Sequence, residues 1–319
     1  MEPSTKDTPR LSGLSTLPTL FVGHGNPMNA LADNEYTRAW RTLGDGLRAD
    51  SGKSAKPAIR GVLVLSAHWA TKGELAVSSA GDPGLLYDMY GFPDALYRVQ
   101  YPAKGDSGLA AEIARRFARA SGEHSEPVRV RLDAERQLDH AVWAVLIHMF
   151  PEADLPVLHL SYDELADARA QLHVGRVLRE LRDEGVLIVG SGNLVHNLRE
   201  IDFAGTAPPA DWAVQFDDWM AGELDELSQW GSPDSAFNGS GSGSGDWDAR
   251  LLRLAEPWNA AHGLAADLVA AAERSVPTID HYVPFVQFLG TLHPGEGIGF
   301  PVTGIQNHSI SMRAVMAGT

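Results

Sequence analysis

Thr16 to Pro27 reads TLPTLFVGHGNP, and the fold turns on how this stretch is read. The run Thr19-Leu20-Phe21-Val22 is short and rich in β-branched and aromatic residues, which argues a buried strand rather than a helix. Gly23-His24-Gly25 follows at once, and Pro27 stops regular continuation. His24 is therefore expected just past the carboxyl end of a strand, the edge where open parallel sheets place their ligands. The two glycines are expected to turn the backbone and leave room around the imidazole.

The same pattern recurs twice. Gly61 to Leu65 leads through Ser66-Ala67 into His68 and Trp69, and Gly185 to Val189 leads through Gly190-Ser191-Gly192 and Asn193 into His196. Around these runs the chain alternates strand and helix patterns. Helices are expected over Asn34–Leu47, Gly108–Ala120, His140–Phe150 (with Asp139 as N-cap), Asp163–Asp183, 211–230, Arg250–Arg274 and from Asp280 onward. Further strands are expected over Glu74–Ser79, Val128–Leu132 and Leu155–Leu160, and a strand, a turn and a final strand at the carboxyl end. Such alternation predicts a single α/β domain, a largely parallel (mixed) central sheet flanked by helices. Residues 1–16 read as a flexible tail and 17–319 as the folded domain. Within it, the Gly/Ser-rich stretch 231–248 reads as a flexible insertion loop. The aromatic-rich stretch Ala80–Ala103 reads as a long ordered loop near the active edge.

The 319 residues carry 26 Lys and Arg against 41 Asp and Glu, a net charge of −15. That balance disfavours nucleic acid and anionic membranes as partners. There is no cysteine, so disulfides, zinc fingers, iron–sulfur clusters and thiol nucleophiles are excluded, and any metal must be held by His, Asp or Glu. No apolar run has the length of a membrane span or of a signal core, so a cytoplasmic protein is expected. Nothing in the chain speaks to oligomeric state.

Of twelve histidines, His124, His148, His159, His173, His262 and His293 lie on helix faces, in mid-strand or in polar loops and read as structural. His24, His68 and His281 each end an apolar element beside small residues or Pro, where neutral imidazole could ligate a borderline transition metal. His196 and His140 read as ligands or proton carriers. His140 falls in a first helical turn, which favours the neutral form a base needs.

GHGNPMNAL, VLSAHW, GFPDALY, LDHAVWAVL, GSGNLVHNLR and HYVPFVQFLG occur in an order that resembles the DOPA 4,5-dioxygenase family, within the LigB-like class III extradiol ring-cleaving dioxygenases. The resemblance runs from Leu17 to Met312, interrupted by the Gly/Ser-rich loop. It implies that His24, His68 and His281 hold a metal, with His196 beside it as fourth ligand or acid/base group and His140 as an acid/base residue. It implies Fe(II) in the active enzyme, with Zn(II) able to occupy the same site. The wider superfamily uses two His and one carboxylate; here the third position reads as His281, with Asp280 adjacent.

The expected reaction is cleavage of a catechol ring by O2 to a muconic semialdehyde. A redox-active cation would bring the two reactants together and favour the ionised catechol. Trp69, Tyr87, Tyr90 and Phe92 could wall an aromatic substrate, and Asn26, Asn193, His308 and Ser311 could make polar contacts. Two other readings stand beside this one: a Zn-dependent hydrolase with the same His cage, and a non-catalytic metal-binding interaction protein.

Overall fold

The computed structural model describes residues 16–53, 56–120, 128–230 and 244–318. In chain order the elements are β1 (Thr19–Gly23), α1 (Glu35–Asp50), β2 (Gly61–Thr71), β3 (Leu75–Ser78), α2 (Ser107–Ala120), β4 (Val130–Asp133), α3 (His140–Met149), β5 (Val157–Asp163), α4 (Ala168–Leu178), β6 (Val186–Gly192), α5 (Asp211–Ser228), α6 (Ser244–Ala255), α7 (Ala266–Ser275), α8 (Val283–Gly290), β7 (Ile298–Val302), β8 (Ile305–Gln306), β9 (Ile310–Ser311) and β10 (Ala314–Ala317).

Eight strands form one sheet in the order β4-β3-β5-β2-β6-β1-β10-β7. The middle four, β5-β2-β6-β1, are parallel to one another. β10 and β7 add to β1 antiparallel, and β3 adds to β5 antiparallel. The sheet is mixed, as expected, and helices cover both faces. Because both faces are covered, the central strands are near-continuous buried runs instead of alternating. Leu20, Val22, Val62 and Val64 pack toward α1 and α3 with Trp40, Leu43 and Trp143. Phe21, one residue along, packs on the other side with Phe216, Phe285 and Phe288. Leu63 and Leu65 likewise join Ile113, Phe117 and Leu178.

Several boundaries differ from expectation for local reasons. Helix α1 opens on a reciprocal cap, Asn34 accepting from the Thr37 amide at 2.9 Å and Thr37 answering the Asn34 amide at 3.0 Å. The helix expected over Arg250–Arg274 is two, α6 and α7, parted at Pro257, which has no amide to donate, and at Gly263 in a left-handed turn. The helix expected over Asp163–Asp183 starts later, where Asp167 accepts from the Ala170 amide, and its last turn is a 3-10 turn over Arg179–Arg182. The carboxyl-terminal segment holds four short strands, since Asn307 and His308, at φ 51° and 74°, insert a tight turn between β8 and β9. The expected tail falls almost wholly on residues 1–15, outside the described residues. Residues 231–243 of the expected insertion loop also lie outside them, while 244–248 belong to α6. Among the described residues no helix is long and apolar enough to cross a membrane.

Candidate metal centre

β1 ends at Gly23, and the His24 amide bonds the Gly192 carbonyl at the end of β6 at 3.1 Å. That bond carries the sheet register one step beyond the strands and sets the imidazole at their carboxyl edge. Of the two glycines around it, only Gly25 turns, at φ 62°. His68 arrives differently. β2 does not stop before it but runs on to Thr71, with a register shift against β5 between Leu65 and Ala70. A bulge of this kind leaves ladder positions unpaired and re-aims a side chain. Here side chains hold the bulged backbone. Ser66 Oγ accepts from the His68 amide at 3.1 Å, and Arg136 Nη2 donates to the His68 carbonyl at 3.0 Å.

His140 is the first residue of α3, as expected, but Asp139 does not cap the helix. Its carboxylate is fully buried and accepts from Ser66 Oγ and Arg136 Nη2, each at 2.9 Å. The His140 amide donates instead to Asp88 Oδ1, from the loop after β3, at 3.0 Å. His281 precedes α8, and its carbonyl accepts from the Asn193 amide at 2.9 Å. A Cβ on Gly192 would lie 2.1 Å from that carbonyl, so only glycine lets β6 and the His281 backbone approach this closely. His196 follows β6, its amide donating to the Ser275 carbonyl at 2.8 Å.

Five rings from five separate segments converge. His24 lies 5.2 Å from His68, 5.5 Å from His140 and 5.2 Å from His281, centroid to centroid. His68 is 4.0 Å from His140 and 5.0 Å from His281. His24, His68 and His140 bring ligand nitrogens within 4.8 Å of one another. His196 stacks on His281 at 3.5 Å with the planes 8° apart. An imidazole lone pair lies in the ring plane, so two parallel stacked rings cannot both aim at one ion.

Three rings hydrogen-bond through Nδ1 at the periphery, and His68 Nδ1 faces Asp88 Oδ2, a buried oxygen with no hydrogen-bond partner. His24 Nδ1 is 3.2 Å from Ser191 Oγ, whose own proton goes to the Ala141 carbonyl, so the histidine donates. His140 Nδ1 meets Asp88 Oδ1 at 2.9 Å, His68 Nδ1 lies 3.0 Å from Asp88 Oδ2, and His281 Nδ1 meets Asp280 Oδ2 at 2.6 Å. Such partners select the Nδ1–H tautomer and leave Nε2 as the free donor atom. His68 Nε2 is buried with no hydrogen-bond partner. A neutral nitrogen donor set with an unanswered buried lone pair fits a borderline cation.

Burial resists a positive charge on four of the five rings, and His68 is the exception. Burial and the surrounding imidazoles hold His24 well below its ordinary pKa, and burial and His281 take His196 to about 2. His281 is lowered to about 4 by burial, against the pull of Asp280. Burial and His68 also lower His140, opposed by Asp88. For His68 burial pushes down, but Asp88 and Asp139 outweigh it and its pKa rises. Asp88 and Asp280, despite burial, are held well below the usual carboxylate range by the histidines they bond.

The sequence pattern of the family described as "Catalytic LigB subunit of aromatic ring-opening dioxygenase" matches residues 18–248, well over half of the chain. The chain belongs to the LigB family. Extradiol ring cleavage is the enzyme class that goes with it, and enzymes of this family are non-haem metal enzymes. A protein of Escherichia coli K12 named "4,5-DOPA dioxygenase extradiol" is 35% identical over 320 residues, all of both chains. One of the same name from Beta vulgaris is 34% identical over 82% of this chain and 90% of its own. A crystal structure of an uncharacterized Escherichia coli K12 protein, 33% identical, superimposes with a TM-score of 0.67 over 94% of this chain and 99% of that one.

The expected substrate contacts lie in different surroundings. Trp69 is buried against His159, ring centroids 4.5 Å apart, under the Arg136 guanidinium. Tyr90 is 92% exposed, because its neighbours Met89 and Phe92 take the core side of the loop. Asn26 spends its carbonyl capping the Met28 amide, and His308 is half-buried with Nδ1 on the Pro208 carbonyl. Ser311 donates to buried Asp217. Tyr87 donates to the Val99 carbonyl within the loop. Asn193 donates to the Ser311 carbonyl at 2.7 Å, and its Oδ1 is buried without a partner. Asp88, Ser191 and Arg136 escaped the sequence reading. For Asp88 there was one signal, a lone carboxylate inside the apolar run Leu85–Phe92.

Proposed function

We propose that this protein cleaves the ring of a catechol, DOPA-like or related, with O2 to a muconic semialdehyde, using Fe(II) held by His24, His68 and His281; Zn(II) would fit the same donors. The observation that carries the reading is the convergence of five imidazoles, three of them with Nδ1 hydrogen-bonded outward and a fourth, His68, with Nδ1 against Asp88. When bound, the metal supplies Lewis acidity that favours the ionised catechol and a redox centre that lets O2 react with it.

The chain's own residues supply the rest. The stacking on His281 argues for His196 as the group that receives a catechol proton rather than as a fourth ligand. It enters the cycle unprotonated, because burial and its neighbours resist a positive charge there. His140 Nε2 would deliver a proton during ring opening, while Asp88 on Nδ1 steadies the imidazolium. The interaction-protein reading is disfavoured by the presence of both His140 and His196, since a metal binder needs no proton relay, and the hydrolase reading is separated by iron-dependent oxygen uptake. Partners are a small catechol and O2, in the cytoplasm.

The test is anaerobic loading with Fe(II), then a catechol panel including dihydroxyphenylalanine, followed by oxygen uptake and a yellow ring-fission product. Iron-dependent uptake with at least one catechol is expected. A protein that retains iron and consumes no oxygen with any of them would overturn the reading.

A further inference from the structure

Asp88 is delivered to the centre by a docked strap, not a loose loop. Leu85 pairs with Leu138, the Leu86 amide donates to the Leu138 carbonyl at 2.7 Å, and the Leu138 amide donates to the Gly84 carbonyl at 3.1 Å. Trp143 Nε1 donates to the Leu86 carbonyl at 3.0 Å. The strap is thus fastened to the segment that opens α3, two residues before His140. From it, Asp88 Oδ1 receives both the amide and Nδ1 of His140, and Oδ2 lies 3.0 Å from His68 Nδ1.

The other ring nitrogens have private acceptors, Ser191 for His24 and Asp280 for His281. His68 and His140 face one carboxylate, hydrogen-bonded to His140 through Oδ1 and set 3.0 Å from His68 Nδ1 through an otherwise unpartnered Oδ2. We propose that Asp88 is a positioning residue that sets the tautomers of His68 and His140 together, so that one carboxylate aims both Nε2 atoms into the common space. A neutral imidazole carries one N–H, and an anion facing Nδ1 places it there. The Asp88 carboxylate also spans two rings whose centroids are 4.0 Å apart. The inference rests on the roles proposed above for His68 and His140, but its test involves no catechol and no iron, so a wrong substrate or metal would not touch the result.

The variants are Asp88→Leu and Asp88→Asn, labelled with ¹⁵N-histidine and read metal-free at pH 8 by long-range ¹H–¹⁵N spectra, with Zn(II) affinity measured by chelator competition. In the wild type both histidines should show Nδ1–H. An amide offers one acceptor and one donor, so in Asp88→Asn one of the two must switch to Nε2–H while His24 and His281 keep their signals. Zn(II) affinity should fall about 10–100-fold in Asp88→Leu and by less in Asp88→Asn. If Asp88→Leu does not fold, the near-isosteric Asp88→Asn decides alone. Unchanged tautomers and affinity in a folded variant would overturn the proposal. So would a lowered melting temperature with the tautomers intact, because Asp88 would then only fasten the strap.

Discussion

Two buried polar clusters sit at opposite ends of the parallel strands and are built to opposite rules. At the amino end, Arg182 is fully buried and each guanidinium nitrogen has an internal partner. Nε donates to the Leu17 carbonyl at 2.8 Å, Nη1 to the Thr291 carbonyl at 2.8 Å and to Glu296, and Nη2 to Glu296 at 2.6 Å. At the carboxyl end, five imidazoles crowd together and the buried His68 Nε2 has no partner. Unanswered buried polar groups cost free energy, and the metal proposed above would answer this one. The first cluster is closed by the chain's own groups, and the second is not.

The largest effects should fall on the open cluster. His24→Ala or His68→Ala should lose the metal, measured as metal per chain after desalting, and with it all turnover. His140→Ala should keep the metal and slow turnover about 10²–10⁴-fold. An unchanged turnover number would remove His140 from the mechanism, and loss of metal would put it among the ligands in place of His281, as its short nitrogen distances to His24 and His68 allow.

The closed cluster should answer in stability alone. Arg182→Met leaves the Glu296 carboxylate buried without its partner, at a cost of about 3–5 kcal/mol in urea unfolding. Adding Glu296→Leu should recover part of that, since it removes the unpaired buried charge while the Leu17 and Thr291 carbonyls still lack their donor. Metal affinity should not move in either variant. If it did, the two ends of the sheet would not be independent.

The smallest effect should separate His159 from the histidine cluster. His159 is fully buried behind Trp69, accepts from Arg136 Nε at 3.3 Å, and is lowered to about 4 by burial. In the unfolded chain its pKa returns to about 6.5. Between these values the unfolded state binds the extra proton, so stability falls as pH drops from about 6.5 toward 4, by at most about 3 kcal/mol. His159→Gln should flatten that acid limb when urea midpoints at pH 7 and pH 5 are compared. An equal slope in both proteins would assign the acid sensitivity to the five clustered rings.

Much of the fold was legible because its signals are local. The three apolar runs leading to His24, His68 and His196 read as strands from their residue types alone, and the helix at Asn34 read from Tyr36, Trp40 and Leu47. Pro257 and Gly263 were equally local signals, passed over in favour of the longer apolar period across Arg250–Arg274. Asp139 failed for a different reason. A residue at an N-cap position usually caps, but a buried carboxylate is drawn to the strongest donors in reach, here Arg136 and Ser66, and the cap came from Asp88, 52 positions away.

Residue chemistry and strand endings thus determined that several imidazoles would stand at one edge of a mixed sheet. No spacing rule says which rings stack, which share an acceptor or which lone pair is left over, because those facts depend on segments meeting from five places in the chain. The bulge at His68, the close approach that Gly192 permits and the strap bearing Asp88 settled them. Each is a contact between distant backbones, and packing, not local preference, sets such contacts.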